Sequence, residues 1–315
     1  MTTALTARPL LPTIQTYSAA VAIVVVVILN IAITPNFASM STLWNIVIQS
    51  SAVLLVALGI TLTIATGGID LTVGSVMAVT AALTAVLMPI DPVLAPLVAL
   101  VVAVGLGALN GVLVSRLRIQ ALILTLAGML MIRGLAQVVT DGRVVAVRGF
   151  LTDFATWRLP GGIPSQLLVS VAASLLVLFF VRRTTFGTYI EAIGDSPRAA
   201  RMAGLPTRLV LPGVYMASAF LAGVAGLMQA GRLAAADPSN IGDAIHLDAI
   251  AAVAIGGANL LGGRPKVGGT ILGVLLLQLI DVMLNMNNIP YAFSLVLKAL
   301  IIVGAVYLQL VRRKP

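Results

Sequence analysis

A few polar residues interrupt otherwise apolar stretches of this chain, and their types limit the chemistry that it could do. One acid, Asp70, follows two glycines in the run TGGIDLTVGS. Lone polar groups in a membrane are costly and usually face the interior of a helix bundle. Amides both donate and accept hydrogen bonds, which suits a hydroxyl-rich solute. The candidate residues for a solute path are Asn45, Gln49, Gly67, Gly68, Asp70, Asn110, Arg133 and Gln137.

The Gly-Gly-Asp run has two interpretations. Helices broken by glycine are common where transporters bind substrate, because irregular backbone at membrane depth is tolerated only where it is buried in protein or faces a cavity. Alternatively, Asp70 caps the next helix and Gly67-Gly68 forms its turn. Capping a helix and lining a path are compatible, so both interpretations stay open.

Several kinds of chemistry are excluded by residues and motifs that the sequence lacks. It has no cysteine and one histidine, His246, which excludes disulfides, thiolate metal sites and histidine relays. It has no G-x-x-x-x-G-K-[ST] loop, no G-x-S-x-G elbow and no H-E-x-x-H pair. We therefore predict no catalytic residue, no metal site and no cofactor bound by this chain.

The composition indicates an integral membrane protein. Of the 315 residues, 60% are hydrophobic and 9% are charged, whereas soluble domains carry about 25% charged residues. The 29 glycines favour close packing between transmembrane helices. The net charge of +9 is spread between apolar segments, so we predict membrane lipid as a partner and no nucleic acid.

The hydropathy pattern predicts an all-α polytopic protein in which residues 1–315 form one transmembrane domain. The predicted spans have about 17–23 residues each, as the bilayer thickness requires. With both termini in the cytoplasm, thirteen of the nineteen basic residues fall on the cytoplasmic side, which agrees with the positive-inside rule. The ten predicted spans are Tyr17–Thr34, Asn45–Thr66, Leu71–Met88, Pro92–Val114, Ala121–Val139, Pro164–Val181, Leu209–Gly231, Ile245–Leu261, Val267–Leu284 and Ala292–Leu310.

The segment Val181–Arg208 is too polar for lipid and carries five of the basic residues. Ser196 suits a helix N-cap and Pro197 the first helical position, while Gly204 is suited to ending the helix. Such a short helix is unstable alone in water. We predict that it docks on a soluble cytoplasmic partner; the alternative is an ordered loop that only helps assembly.

Three further features carry predictions. The loops at about residues 140–163 and 233–244 are predicted to lie outside, either as a docking surface or as plain connectors. Asp281 and Lys298 are predicted to form a structural ion pair, so exchanging their charges is expected to be tolerated and removing one is not. The runs GGIDLTVGS and GGRPKVGGT both open an apolar span, which suggests an internal repeat.

Four stretches resemble successive signatures of bacterial simple-sugar ABC importer permeases, a family that includes ribose, xylose, arabinose, galactose and galactofuranose transporters. The resemblance runs from about Asn45 to Leu310 in the family's order and spacing. The AAADPSNIG run looks most like the galactofuranose-type subgroup. The stretches are ATGGIDLTVGSVMAV, ALNGVLVSRLRIQALILTLAGMLMIRG, TTFGTYIEAIGDSPRAARMAGLPT and LDAIAAVAIGGANLLGGRPKVGGTILG.

The resemblance implies a type II importer fold in the bacterial inner membrane, with two permease copies or paralogues around a central path. Two cytoplasmic ABC ATPase subunits, which use ATP and Mg, would dock on residues 182–208. A periplasmic sugar-binding protein would deliver a monosaccharide to the outer loops, and transport would proceed by alternating access. The residues implied in ATPase coupling are Glu191, Ala192, Gly194, Ser196, Pro197, Arg198, Ala199, Ala200 and Gly204.

Three other functions remain open at this stage. A secondary carrier would need no ATPase, but the sequence has few intramembrane acids for an ion pathway. A membrane scaffold would move nothing. A permease for branched-chain amino acids shares the general layout, although the GGIDLTVGS motif points to the sugar branch.

Overall fold

The computed structural model describes residues 11–117, 119–290, 292–296, 298–300 and 303, with the backbone alone for residues 11–19. The backbone is helical again at 292–296 and 298–300. The helices of the described part are α1 (Leu11–Ile33), α2 (Met40–Ala65), α3 (Val73–Leu87), α4 (Leu94–Leu117), α5 (Ala121–Val139), α6 (Phe150–Thr156), α7 (Ser165–Arg183), α8 (Thr185–Asp195), α9 (Pro197–Met202), α10 (Thr207–Leu233), α11 (Ile245–Ile255) and α12 (Val267–Met286).

The membrane architecture predicted from the sequence is confirmed. Among the described residues, six helices are long and apolar enough to cross a bilayer, namely α2, α4, α5, α7, α10 and α12. Residues 20–33 of α1, α3 and α11 are shorter apolar helices. Each of the first nine predicted spans therefore coincides with a described helix, and most of the tenth, Ala292–Leu310, lies outside the described residues.

Two of the predicted spans contain helices that are shorter than expected. The eighth, Ile245–Leu261, is helical only over the 11 residues of α11, a length of about 16 Å that is roughly half of a bilayer core. Gly256 and Gly257 follow it, and Gly257 has φ +77°, a conformation that favours glycine. Likewise, α3 begins only at Val73, after the turn that contains Gly67 and Gly68.

Helix α10 lies at the centre of the bundle, where it packs against α2, α3 and α4. Two glycines of α4 allow close contact with it. A Cβ atom on Gly107 would lie 2.5 Å from the Tyr215 carbonyl oxygen, and one on Gly111 would lie 2.4 Å from Pro212 Cα. These small residues let the two helix backbones approach, as close packing in a membrane requires.

The two predicted outer loops meet in the structure. Strand β1 (Val145–Ala146) pairs antiparallel with β4 (Ala235–Ala236), which joins the first loop to the second. A second short ribbon is formed by β2 (Arg158–Leu159) and β3 (Ile163–Pro164). The first loop also contains α6, so it is a folded element and more than a connector. We refer to this end of the bundle as the α6 end and to the opposite one as the α8 end.

Candidate functional site

The segment at the α8 end forms the helix that the sequence predicted. The Ser196 hydroxyl accepts a hydrogen bond from the Ala199 N–H at 3.2 Å, and Pro197 is the first residue of α9. The helix ends before Gly204, which has φ +75° and whose N–H donates to the Arg201 carbonyl. Residues next to α9 in the sequence therefore determine where the helix begins and where it ends.

Helix α9 presents a mostly exposed surface. Ala200 is buried against the bundle, while the other coupling candidates of α9 are exposed. Met202 is 80% exposed, next to the exposed guanidinium-bearing residues Arg198 and Arg201. An apolar side chain beside cations in a membrane protein's polar segment is suited to contact with another protein.

Helix α8 connects this surface to the bundle. Its buried face includes Ile190 and Ile193, which are 0% and 2% exposed. The Glu191 carboxylate forms an ion pair with Arg264, which follows the second Gly-Gly run. The hydrogen bond and charge of Glu191 raise the pKa of Arg264 above its ordinary value. Side chains thus tie α8 to the loop between α11 and α12.

Gly194, near the end of α8, makes the closest backbone contact at this end. A Cβ atom there would lie 1.8 Å from the Ala65 carbonyl oxygen and 2.4 Å from the Gly263 nitrogen. The Gly263 N–H donates to the same Ala65 carbonyl at 3.0 Å. Residues from α8, from the end of α2 and from the α11–α12 loop therefore meet at one point, so a displacement of α8 would act directly on both Gly-Gly junctions.

The junction after α2 buries its acid completely. Asp70 is 1% exposed, and its Oδ1 accepts from the N–H and the hydroxyl of Thr72 at 3.0 and 2.6 Å. Its Oδ2 accepts from the Ser218 hydroxyl of α10 at 3.0 Å. Asn110 donates to the Thr72 hydroxyl at 3.3 Å. Asp70 thus joins the turn before α3 to α10 and lines neither of the cavities described below. It is not the N-cap of α3, because that position is Thr72 and makes no side-chain capping hydrogen bond.

A polar cavity of about 250 Å³ lies between α2, α10, α11, α12 and the helical residues after 291. We call it the polar cavity. Polar side chains inside a membrane bundle typically face water or a solute path. Those that line it are Gln49, Gln166, Gln229, Arg232, Asp248, Gln278, Asp281, Asn285, Ser294 and Lys298.

A second space, the vestibule, adjoins the polar cavity towards the α6 end. It has a volume of about 420 Å³ and is lined by Asn45, Trp157 and Arg158, among others. Gln49 and Arg232 belong to the walls of both spaces. The two spaces therefore share a boundary, and together they line a candidate route from the α6 end into the bundle.

Three of the four charged residues that line the polar cavity form a triad. Lys298 Nζ lies 2.9 Å from Asp281 Oδ2, the partner expected from the sequence, and 2.9 Å from Asp248 Oδ1. The lysine side chain is 6% exposed and the two carboxylate side chains are 25% and 21% exposed. The other Asp281 oxygen accepts from the Ser294 hydroxyl at 2.6 Å. One cation thus holds two acids from different helices.

The amides of the polar cavity are only partly paired. Gln278 Nε2 donates to Gln49 Oε1 at 3.2 Å. The NH₂ group of Gln49 and the carbonyl of Gln278 have no partner among the described residues, and both side chains belong to the cavity wall. The Gln229 Oε1 atom is buried and has no hydrogen-bond partner among the described residues. Buried polar atoms are normally hydrogen-bonded, so this oxygen gains a partner only if the Gln229 side chain, which lines the cavity, turns towards the space.

The remaining path candidates lie elsewhere. The Arg133 guanidinium donates to the carbonyls of Pro238 and Ile241 at 2.9 and 2.6 Å, which fastens the loop after β4. Gln137 is exposed on α5 and lines neither space. Of the eight candidates, Asn45 and Gln49 alone line the described route.

Sequence reasoning did not select Asp248 or Gln229 as site residues. Both lie in apolar stretches, and an acid within a membrane span is by default a candidate for function. That signal was available for Asp248. Gln229 is a polar residue within the seventh predicted span, but its place beside the cavity depends on how α10 faces α2 and α12.

Comparison with known proteins decides the family. Residues 42–306 match the model of a family described as the permease component of branched-chain amino acid transport systems. The ribose import permease RbsC of Escherichia coli K12 is 35% identical over 293 residues, covering 91% of each chain. The chain belongs to the sugar ABC importer permeases. It is therefore a multi-pass inner-membrane transport subunit.

Other relatives transport different sugars. The galactofuranose transporter permease YtfT of Escherichia coli K12 is 34% identical, covering 92% of this chain and 88% of the relative. The fructose import permease FruF of Bifidobacterium longum is 39% identical, covering 74% and 67%. No solved structure matches this chain. Since the ribose and galactofuranose relatives are almost equally similar, the narrower galactofuranose-type assignment stays a prediction.

Proposed function

We propose that this chain is the membrane subunit of an importer that moves a pentose or hexose into the cytoplasm by alternating access, driven by ATP hydrolysis in a partner ATPase. The ATPase docks at the α8 end, which is cytoplasmic together with both termini. A periplasmic sugar-binding protein docks at the α6 end. A second copy or a paralogue completes the path. The names of the relatives and the route of polar side chains from the α6 end support this proposal.

One observation carries the coupling part of the proposal. The backbone contact between Gly194, Ala65 and Gly263 connects the exposed helix α9, through α8, to the end of α2 and to the loop between α11 and α12. Packed backbones are bistable and transmit displacement without deforming continuously. A movement of α9 by the ATPase is therefore passed to α2 and to the α11–α12 hairpin.

The proposal is tested by ATP-driven sugar uptake into proteoliposomes that contain the permease with its ATPase and binding protein. Gly194→Ala introduces a methyl group where the Ala65 carbonyl lies, so we expect hydrolysis that sugar no longer stimulates and an uptake reduced by tenfold or more, roughly the effect of 1.4 kcal/mol. Gly105→Ala, on α4 with open space around its Cβ position, is the matched control.

A second variant probes the same connection through side chains. Glu191→Ala removes the ion pair with Arg264, and we expect a smaller loss of coupling because the pair is solvent-exposed. Normal stimulated hydrolysis and uptake in both Gly194→Ala and Glu191→Ala would refute coupling through α8. Uptake by the permease alone in an ion gradient would instead favour a secondary carrier.

The description of the matching family supports one further candidate substrate, a branched-chain amino acid. The same proteoliposomes distinguish it. Uptake of labelled leucine without uptake of D-ribose, D-galactose or D-fructose would replace the sugar proposal with this one.

A further inference from the structure

The polar cavity differs from a passive passage, because its two acids are paired with Lys298 and some of its amide groups have no partner. We propose that it is a binding site for one neutral monosaccharide within the permease itself, so that the permease recognises the sugar after the binding protein releases it. This inference rests on the proposed function and adds to it a second point of selection.

The charges of the cavity favour a neutral ligand. Two acids and two bases line it, so their formal charges sum to zero. Lys298 contacts both Asp248 and Asp281, while Arg232 has no ionic partner among the described residues. An ion entering the cavity would have to compete with these ion pairs, whose charged groups are largely removed from water. A neutral hydroxyl can add to the free lone pairs of the carboxylates without displacing the lysine.

The amides supply the groups that hydroxyls need. Each sugar hydroxyl donates one hydrogen bond and accepts others. The NH₂ group of Gln49 is a donor and the carbonyl of Gln278 is an acceptor. The unpaired Oε1 of Gln229 is buried, and it becomes a second acceptor when the side chain turns towards the space. A site built to pair with hydroxyls discriminates strongly against analogues that lack them, because its own polar groups then stay unpaired.

The size and the access route match a single sugar ring. A cavity of about 250 Å³ corresponds to roughly eight water molecules at liquid density, which is enough for a pentose or hexose with a few waters. At the vestibule, Trp157 is 52% exposed and offers an apolar ring face. Pockets for small molecules commonly combine such an aromatic wall with a few placed polar groups.

The test uses the absence of cysteine from the sequence. Ala52→Cys places the sole thiol on the wall of the polar cavity, and Ser239→Cys places it in the exposed loop after β4 as a control. Each variant, alone in nanodiscs without ATPase or binding protein, is labelled with a charged methanethiosulfonate in D-ribose, D-galactose or D-fructose. At about ten times its half-saturating concentration, a bound sugar should slow labelling of Ala52→Cys about tenfold and leave Ser239→Cys unchanged.

Two further variants assign the protection to the amides. Gln229→Leu in the Ala52→Cys background should weaken the sugar affinity about tenfold, the loss expected for one missing buried hydrogen bond. Gln137→Leu, which removes an exposed amide outside the cavity, should leave it unchanged. Gluconate, an anionic sugar acid, should give no protection.

The outcomes separate this inference from the proposed function. Failure of all three sugars to protect Ala52→Cys overturns the inference, as does equal protection by gluconate or in the Gln229→Leu variant. ATP-driven sugar uptake by the full complex would still support the importer in those cases. Protection without uptake would keep the binding site and refute the proposed function.

Discussion

The bundle contains two polar sites that treat an acid in opposite ways. At the junction after α2, Asp70 is fully buried and its two oxygens accept three hydrogen bonds, with no cation among the described contacts. In the polar cavity, Asp248 and Asp281 share a lysine and border an open space. At the first site the chain itself satisfies the carboxylate, although the neighbouring Tyr215 hydroxyl is buried without a partner among the described residues. At the second site the acids border a space that a ligand can enter.

This difference separates architecture from recognition. A buried polar group whose hydrogen bonds are all internal fixes the geometry of the elements that it joins. A partly paired group at a cavity wall gains most from a ligand. The same residue types therefore serve different purposes, and the deciding property is what remains unpaired.

The largest effect is expected from breaking the triad. Lys298→Met leaves two carboxylates without their cation, and removal of one partner of a buried pair costs about 3–5 kcal/mol. We expect loss of folded permease, measured by fluorescence-detected size exclusion and thermal unfolding in detergent. Lys266→Met, at an exposed lysine, is the control and should behave as wild type.

Neutralising the acids should partly reverse this loss. In Lys298→Met combined with Asp248→Asn and Asp281→Asn, no buried charge is left alone, so folded protein should return. A triple variant as unstable as the single one would show that the lysine acts through packing. The charge exchange of Asp281→Lys with Lys298→Asp, expected from the sequence to be tolerated, should now fail because it sets a carboxylate beside Asp248.

The junction after α2 is tested by two substitutions at Asp70. Asp70→Ala leaves the donors of Thr72 and Ser218 unpaired, at a cost of about 1–3 kcal/mol for each buried group. Asp70→Asn keeps an acceptor for Thr72, and the Ser218 hydroxyl can accept from the new amide, so we expect near-normal folding and sugar uptake. Uptake abolished in a well-folded Asp70→Asn variant would place this acid on the solute path and remove the contrast between the sites.

A smaller effect is expected in the polar cavity, where a substitution should weaken sugar binding more than it destabilises the fold. Gln278→Leu removes an amide that contacts Gln49, and we expect the KM for imported sugar to rise about tenfold with kcat little changed, as for lost uniform binding. The measurement is uptake against sugar concentration in proteoliposomes. A change in kcat alone would indicate that the amide acts in the conformational step instead.

The sequence predicts the elements better than it predicts the site. Hydropathy is a local property, so the spans followed from it, and α9 followed from Ser196, Pro197 and Gly204 because capping involves only neighbouring residues. Asp70 attracted attention because an acid after two glycines is conspicuous along the chain. Its hydrogen bond to Ser218 depends on the packing of α10, which the local pattern does not contain.

The polar cavity likewise shows that a local sequence pattern does not predict tertiary contacts. The pairing of Asp281 with Lys298 could be anticipated from their similar depth on adjacent spans, but the contact of Asp248 with the lysine depends on the packing of α11 beside α12. The position of Gln229 likewise depends on the rotation of α10. Tertiary packing between segments distant in sequence thus determines which residues line the polar cavity.

The smallest effect is expected where a satisfied polar cluster lies at the surface, in the loop after β4. Asp237 accepts from the side chain and the N–H of Asn240 and from the Ser239 N–H, and these contacts hold its pKa below the ordinary value, led by the Asn240 side chain. A lowered pKa means that the stabilisation is complete above the ordinary aspartate value of about 3.9 and is lost as the pH falls through the lower folded value.

Hydrogen exchange at the amides of Ser239 and Asn240, corrected for intrinsic rates, should show constant protection above about pH 5 and declining protection in acid. In Asp237→Asn, protection should be slightly lower and independent of acid. If the wild-type protection were equally independent of pH, the loop would be held by Arg133 and the β1–β4 pairing alone, and the rule that internally paired acids serve architecture would not extend to this surface.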